Sequence, residues 1–215
     1  MKKKHEWRKH EKSVYLPKNK PEIIEVPAFR FITIQGEGNP NSETFTKCVE
    51  ALYSLAYGLK MQLKKTTCLP DNYVDFTVYP LEGVWDITDE AKKSFSGTIN
   101  KDDLVYKLMI RQPDFIDEIL FNEVKSLVEK KKPSAFLSSV NFETISEGVC
   151  VQMLHLGPFD DEPQSFSLME SFAESEGFNR LSKCHREIYL SDARRVTPDK
   201  YKTVLRFQAQ PQAIA

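Results

Sequence analysis

The sequence contains the same succession of segments twice, and this duplication constrains the fold more than any other feature. Each copy begins with an apolar, strand-like run, turns at glycine and proline, continues as an amphipathic helix and ends in two further strand-like runs. The first copy covers about residues 27–113 and the second about residues 147–211. Two βαββ units in one chain imply a pseudo-symmetric α+β fold: one antiparallel-sheet domain with a central ligand groove between the repeats.

Helices are predicted where apolar residues recur at the i, i+3, i+4 spacing of a one-sided apolar face. The first repeat carries such a stripe from about residue 42 to 59, and the second repeat carries one from about 161 to 176. A third helix, at about residues 116–131, bridges the repeats and leaves no flexible linker between them. We therefore expect one domain over residues 22–215, preceded by a charged lead-in over residues 1–21.

The last strands of each repeat indicate where function lies, because side chains alternate between the two faces of a strand. In the second repeat, Glu187 and Tyr189 share one face and Ile188 lies on the other. The matching strand of the first repeat is predicted at residues 74–79 and ends in Tyr79. We expect the Ile188 face to pack against helices, which places Glu187, Tyr189 and Tyr79 on the open face of the sheet. Thr77 then occupies the first-repeat position that matches Glu187, so the second repeat alone carries an acid there.

Other candidate residues lie near turns. The first repeat inserts residues 80–86, and such an insertion can form a lid or a groove wall. Trp85 within it is interpreted either as a wall of the groove or as part of the core, and Glu82 either as a groove residue or as turn material. His155 directly precedes a Gly-Pro turn, where a histidine can bond the turn or contact a ligand.

Composition limits the remaining classes of function. Lys and Arg total 30 against 31 Asp and Glu, which gives a net charge of −1 and no overall footprint for nucleic acid, so no direct nucleic-acid partner is expected. No apolar run approaches the roughly 20 residues that cross a bilayer, and the basic start lacks the apolar stretch of a secretory signal. The four cysteines lack CxxC spacing, which indicates reduced thiols in a cytoplasmic protein. No residue set has metal-ligand spacing and no glycine-rich phosphate loop is present, so neither a metal nor a cofactor is predicted.

Several of these segments together resemble the GyrI-like small-molecule-binding family, which includes gyrase-inhibitor proteins and the effector-binding domains of AraC-type and MerR-type regulators. The resemblance rests on VQMLHLGPF at residues 151–159, EIYLSD at 187–192 and YPLEGVW at 79–85. The lead-in fragments EWRK at 6–9 and YLP at 15–17 are similar to a standalone bacterial subgroup. The regulators also carry a helix-turn-helix domain, for which this chain has no room.

The resemblance implies a groove that binds hydrophobic aromatic molecules, cationic or electrophilic in character, with Glu187 inside it and a role in protection against xenobiotics or genotoxins. Tyr189, Tyr79, Trp85, Glu82 and His155 are the further candidate ligand-binding residues. Standalone relatives are said to hydrolyse strained, cyclopropane-bearing genotoxins, so a hydrolase with Glu187 as catalytic base is an alternative. A gyrase-inhibitor-like interaction protein is a second alternative. From the residues alone, Glu187 can be a cation anchor, a general base or an exposed strand residue without a role.

Overall fold

The computed structural model describes residues 4–94, 97 and 99–212 of the chain. Helices within this part of the chain are α1 Trp7–His10, α2 Lys12–Tyr15, α3 Glu43–Lys65, α4 Asp89–Lys93, α5 Glu118–Lys131, α6 Ala135–Ser138 and α7 Glu162–Ser175. Strands are β1 Glu22–Val26, β2 Phe29–Glu37, β3 Leu81–Ile87, β4 Leu104–Gln112, β5 Asn141–Ile145, β6 Gly148–Leu156, β7 Phe178–Arg180, β8 His185–Tyr189 and β9 Lys202–Pro211.

The order of these elements confirms the α+β class and the two βαββ repeats. The first repeat is β2, α3, β3 and β4, and the second is β6, α7, β8 and β9. The helix boundaries follow from local chemistry. The Ser42 hydroxyl accepts from the Phe45 amide and caps α3. Gly177, with φ of +77°, adopts the left-handed conformation that commonly ends a helix just after α7.

The predicted strand at residues 74–79 is wrong. The strand lies instead in the inserted segment, which was interpreted as a lid or a groove wall. Within residues 74–79 only Phe76 forms a bridge, a parallel one with His5, while β3 spans Leu81–Ile87. Phe76 and Tyr79 are buried although they lie outside a strand, so their apolar character reflects burial and not alternation. The register of β3 places Gly83, and not Thr77, directly opposite Glu187.

The chain divides into two compact units. Unit 1 contains, among the described residues, 4–6, 29–81 and 86–145. In it, β2 pairs antiparallel with both β4 and β5. Helix α3 packs against β2, β4, α5 and α6. Most of its apolar stripe is buried and forms the core of the unit around Leu52, Leu55 and Leu59.

Unit 2 contains residues 7–28, 82–85 and, among those described, 146–212. Its strands pair antiparallel in the order β1, β6, β9, β8 and the 82–85 part of β3, and β7 pairs with β9. Helix α7 packs on β6 and β7. Between the helix and the strands lies a core of buried residues that comprises Val151, Met153, Met169, Ala173, Leu205, Phe207 and Ala209.

The register of unit 2 reverses the predicted faces of β8. Glu187 pairs with Leu205, a member of the core beneath α7, so Glu187 lies on the face that the helix covers. Glu187 is therefore buried and not on an open face, because the core of this unit forms on the Glu187 side. On the other face, the Arg206 guanidinium donates to the Val14 carbonyl and the Gln152 amide donates to the Ser13 carbonyl. The start of the chain thus covers the Arg206 face.

Residues 7–21 of the lead-in are accordingly a packed part of unit 2. Trp7 and Tyr15 are buried, with ring centroids 5.4 Å apart. Within the described residues, no helix has the length and apolar character needed to cross a bilayer.

Candidate functional site

The candidate site of unit 2 is built around Glu187 on β8. The alternation of the strand aligns His185, Glu187 and Tyr189 on one face. Cross-strand pairing of Trp85 with His185 adds the Trp85 indole to the same face. Glu187 and Trp85 are both less than a tenth exposed. This arrangement brings together three predicted site residues: Glu187, Tyr189 and Trp85.

A chain of hydrogen bonds leads from Trp85 to Glu187. The Trp85 indole N–H donates to the Tyr189 phenol oxygen at 2.7 Å, and Tyr189 is in turn hydrogen-bonded to Glu187. Because the indole is only a donor, the phenol hydrogen is left for the carboxylate. Burial, and then the nearby Glu187 carboxylate, raise the pKa of Tyr189 well above its ordinary value. Tyr189 therefore acts as a neutral donor that holds one oxygen of Glu187.

A second carboxyl group faces Glu187 from the first residue of α7. Glu162 is 7% exposed, and its Oε1 has no hydrogen-bond partner among the described residues. Burial, followed by the charge of Glu187 and a hydrogen bond to it, raises the pKa of Glu162 well above its ordinary value. Asp160 adds to the same effect. The site thus concentrates negative charge and lone pairs in a buried place, a condition that is common at functional sites.

His185 completes this group. Its Nε2 lies 3.2 Å from Glu187 Oε1, and its Nδ1 lies 3.3 Å from the Lys183 carbonyl oxygen. The Phe166 ring of α7 packs edge-on against the imidazole at 4.6 Å between centroids. The ring is thereby held between the helix and the strand with Nε2 toward the carboxylates.

An aromatic residue of the turn before α7 lies beside Tyr189. The Phe159 ring stands edge-on to the Tyr189 ring at 6.1 Å and contacts the Tyr201 ring at 5.1 Å. Phe159 is 39% exposed, which is high for a phenylalanine. It is the most accessible aromatic side chain in contact with the site residues described above.

His155 lies on the same sheet face but bonds to other groups. Its Nε2 contacts the Pro158 carbonyl at 3.0 Å, and its Nδ1 contacts the Ser165 hydroxyl at 2.9 Å. A carbonyl oxygen only accepts, so Nε2 donates to Pro158 and Nδ1 accepts from Ser165. His155 therefore fastens the turn that carries Phe159 to helix α7, and this contact satisfies both of its nitrogen atoms.

Glu82 lies on the other face of the sheet, away from the Glu187 face. Its Oε2 pairs with Arg186 Nη1 at 2.6 Å, and its Oε1 accepts from the Tyr15 hydroxyl at 3.3 Å. Glu147 extends this network, because it bridges Arg186 and Arg206 with contacts of 2.9 Å to each. These ions compensate one another in a buried place, so the structure gives Glu82 a stabilising role behind the site strand.

Tyr79 belongs to unit 1, where it is buried. The Arg111 guanidinium lies 4.8 Å from the centroid of its ring, and the His5 ring lies 6.4 Å from it. The predicted equivalence of Tyr79 and Tyr189 depended on the strand at 74–79, which is absent, so the two tyrosines occupy unrelated environments. Our expectation that they would match is therefore wrong.

Sequence reasoning missed Glu162 and did not assign a role to His185. The signal for Glu162 was available, because residues 162, 166, 169 and 173 follow the 4, 3, 4 spacing of an apolar stripe. An acid at a stripe position is directed into the core and requires a partner there. For His185, the alternation with Glu187 already placed the imidazole on the correct face.

Comparison with known protein families shows to which family the chain belongs. The sequence model of the GyrI-like small molecule binding domain matches residues 19–209, which is most of the chain. The chain belongs to the GyrI-like family. Binding of a small molecule is therefore the general function of this family, and the Glu187 group is a buried polar cluster in unit 2.

Several solved structures are similar to this chain. A hydrolase from Listeria innocua is 38% identical, with a TM-score of 0.86 over 97% of this chain and 100% of that chain. An uncharacterized conserved protein from Listeria innocua is 39% identical, with a TM-score of 0.85 over 96% of this chain and 100% of that chain. The EcmrR C-terminal domain shares the fold at 12% identity, with a TM-score of 0.53 over 89% of this chain and 98% of that one. None of the curated proteins compared with the chain matches it significantly.

Proposed function

We propose that this GyrI-like protein binds an aromatic small molecule that carries positive charge, with Glu187 as the anchoring carboxylate. The observation that carries this proposal is the buried pair of carboxyl groups, Glu187 and Glu162, beside the Tyr189 and Trp85 rings. A positive charge placed near Glu187 relieves the repulsion within this pair. The faces of aromatic rings add attraction for cations and for flat aromatic ligands.

Two features favour a ligand next to Glu187. Gly83 is directly opposite Glu187 on β3 and has no side chain to fill the neighbouring position. Phe159 offers a partly exposed ring against Tyr189. Together they provide an aromatic surface next to the carboxylate, and xenobiotic aromatic cations have the chemistry that such a surface recognises. A role in protection against such compounds is part of the same proposal.

A matched pair of probes tests the charge requirement. N-methylacridinium is a permanent cation, and acridine is its neutral counterpart of nearly the same shape at mildly alkaline pH. We expect the parent protein to bind the cation more tightly. Glu187→Gln should weaken cation binding by about 1–3 kcal/mol, the scale of a hydrogen bond to a charged group, and leave acridine almost unaffected.

Glu174→Gln is the matched control, because Glu174 is an exposed acid on the same helix as Glu162. It should bind both probes like the parent. Equal affinity of the parent for the cation and the neutral probe, or equal losses in the Glu187 and Glu174 variants, would contradict the proposal.

A second candidate function is hydrolysis of an electrophilic ligand. It is favoured by the geometry of Glu187, whose carboxylate accepts from Tyr189 and faces a second, buried carboxyl group. This arrangement can orient a carboxylate toward water beside a bound aromatic compound. The 38% identity to a Listeria innocua protein described as a hydrolase supports the same candidate.

For a cyclopropane fused to a conjugated dienone, the reaction balances without a cofactor. The oxygen of water bonds to a cyclopropane carbon while Glu187 takes a proton from that water. The strained carbon–carbon bond breaks, and its electron pair moves through the ring to the carbonyl oxygen, which becomes a phenol after protonation from solvent. Glu187 then releases its proton to solvent, so the net change is the addition of one water.

Turnover separates the two candidates. A spirocyclopropyl cyclohexadienone in excess over protein should be converted to a product heavier by one water, with more than one product per protein by mass spectrometry. Glu187→Gln should still bind the compound while turnover falls by about two to four decades, the usual contribution of general base catalysis. Stoichiometric binding without any product would leave the anchoring function and exclude this substrate class.

A further inference from the structure

Glu162, His185 and Glu187 form a cluster of three potential metal ligands. The anchoring of an organic cation does not require such a cluster. Each of the three residues offers one ligand atom, and these atoms all lie within 4.8 Å of one another. His185 and Glu187 come from alternate positions on β8, and Glu162 comes from the start of α7. Glu162 and Glu187 are less than a tenth exposed, so bulk water does not satisfy these atoms.

The hydrogen bonds around His185 determine which of its nitrogen atoms faces the cluster with a lone pair. The Lys183 carbonyl oxygen can only accept, so His185 Nδ1 carries the hydrogen. In the neutral ring, Nε2 then presents its lone pair to Glu187 Oε1, 3.2 Å away. Two lone pairs that face each other at this distance require a positive group or a proton between them.

Glu162 supplies the third lone-pair atom, independently of His185. Its Oε1 is buried and has no hydrogen-bond partner among the described residues. A buried oxygen without a partner is costly, and such atoms in folded proteins generally require an explanation. The Glu162 carboxylate also contributes an oxygen to the set of three ligand atoms, and a cation bound there would satisfy this carboxylate.

Two carboxylates and one imidazole form a donor set suited to divalent metals such as Zn²⁺ and Mn²⁺. Metal–ligand bonds of about 2.0–2.2 Å place the ligand atoms roughly 3.4 Å apart around a tetrahedral ion. The pair His185 Nε2 and Glu187 Oε1 is already close to that separation, and a carboxylate oxygen of Glu162 lies within 4.8 Å of the ligand atoms of the other two residues. The outer contacts also match, since a ligand histidine usually donates its other N–H to a backbone carbonyl, as His185 does to Lys183.

We propose that Glu162, His185 and Glu187 form a three-ligand site for a divalent transition-metal ion. The hydrogen bond from Tyr189 holds the Glu187 carboxylate in place. Because the ion and an organic cation neutralise the same Glu187 carboxylate, the two exclude one another. This last consequence rests on the proposed function, whereas metal binding itself does not.

The test uses the full chain without a histidine tag, stripped with a chelator and dialysed. Zinc chloride and manganese chloride are titrated into it by calorimetry with no organic ligand present. We expect one ion per chain. Glu162→Gln and His185→Gln should each weaken binding by more than the 10–100-fold that is typical for loss of an outer-shell contact. His10→Gln and Glu174→Gln are controls, because both residues are exposed, and they should bind like the parent.

A spectroscopic readout covers the case in which a variant folds poorly. Cobalt(II) bound to the parent should show a visible absorption band that differs from that of the hexaaqua ion, and zinc should displace it. Absence of binding by the parent, or equal affinity in the ligand and control variants, would overturn the metal site. Since these titrations contain no acridinium, failure of the metal site and failure of the anchoring function give separate results.

Discussion

The Trp85 indole donates to the Tyr189 phenol oxygen at 2.7 Å, and this bond orients the Tyr189 hydroxyl toward Glu187. The two residues lie on different strands, β3 and β8, and come from different repeats. A ligand that displaces Tyr189 must therefore disturb Trp85 as well. The tryptophan thus reports on the carboxylate without having to contact the ligand itself.

The first prediction concerns the fluorescence of Trp85. In a Trp7→Phe background, the emission of Trp85 should change in intensity or wavelength when N-methylacridinium saturates the protein, because the indole N–H loses or alters its bond to Tyr189. Parallel calorimetry establishes saturation. An unchanged spectrum at saturation would show that the ligand does not reach the Tyr189 end of the site.

The second prediction separates the two glutamates on opposite faces. Glu82→Ala should lower the free energy of unfolding by about 3–5 kcal/mol, because it leaves the Arg186 charge buried without one of its partners. Glu187→Gln should cause no such loss, because it removes one charge from a crowded pair. Urea denaturation of both variants measures the difference. Similar losses in the two variants would mean that Glu187 is as structural as Glu82.

The third prediction is a pH dependence that arises from Glu162. Its pKa is raised in the folded protein above the ordinary value of 4.5, so the folded state binds more protons than the unfolded state. The stability linked to this group is fully present below pH 4.5 and is lost as the pH rises through the raised value. Glu162→Gln imitates the protonated carboxyl and removes this loss.

Thermal melting in the presence of a chelator checks the sign of this effect. The melting temperature of the variant relative to the parent should increase from acidic to alkaline pH. Glu174→Gln provides the baseline, since Glu174 is exposed on the same helix. A difference that stays constant with pH would mean that Glu162 titrates normally.

The fourth prediction concerns His155 as a clamp. His155→Ala removes the bonds to Pro158 and Ser165, and the loss of these two buried bonds should cost about 1–3 kcal/mol of unfolding free energy. Affinity for N-methylacridinium should fall as well, because Phe159 is no longer held against Tyr189. Ser165→Ala removes one of the bonds and should give an intermediate loss. Full stability in both variants would contradict the clamp.

The sequence predicted the parts of this fold that periodicity controls. The stripes of α3 and α7 and the alternation of β8 follow directly from apolar spacing, and the repeat order followed from these elements. The position of β3 did not follow, since residues 74–79 and 81–87 are both apolar and only pairing with β8 distinguishes them. Which face of β8 the helix covers also depends on the register with β9, which no local pattern encodes.

For the candidate site, the sequence identified Glu187, Tyr189 and Trp85, which the structure brings together. It placed Tyr79 with them because the strand assignment in the first repeat was shifted, and it left Glu82 in the inserted segment either as a groove residue or as turn material. Glu162 was overlooked because acids at helix starts are common and interact favourably with the helix dipole. Its position on the buried stripe was therefore not considered.

The network behind the site strand has a consequence for how the chain acquires its structure during synthesis. Arg206 donates to the carbonyl of Val14, a residue 192 positions earlier, and both belong to unit 2. Strand β9 is therefore required before three parts of this unit can pack against one another. These are the first helices, the Arg186 ion pairs and the strand that carries Glu187. Contacts that are so distant in sequence form slowly. A ribosome must deliver the chain through β9 before this unit can assemble, so early release or pausing before residue 202 leaves the Glu187 site incomplete.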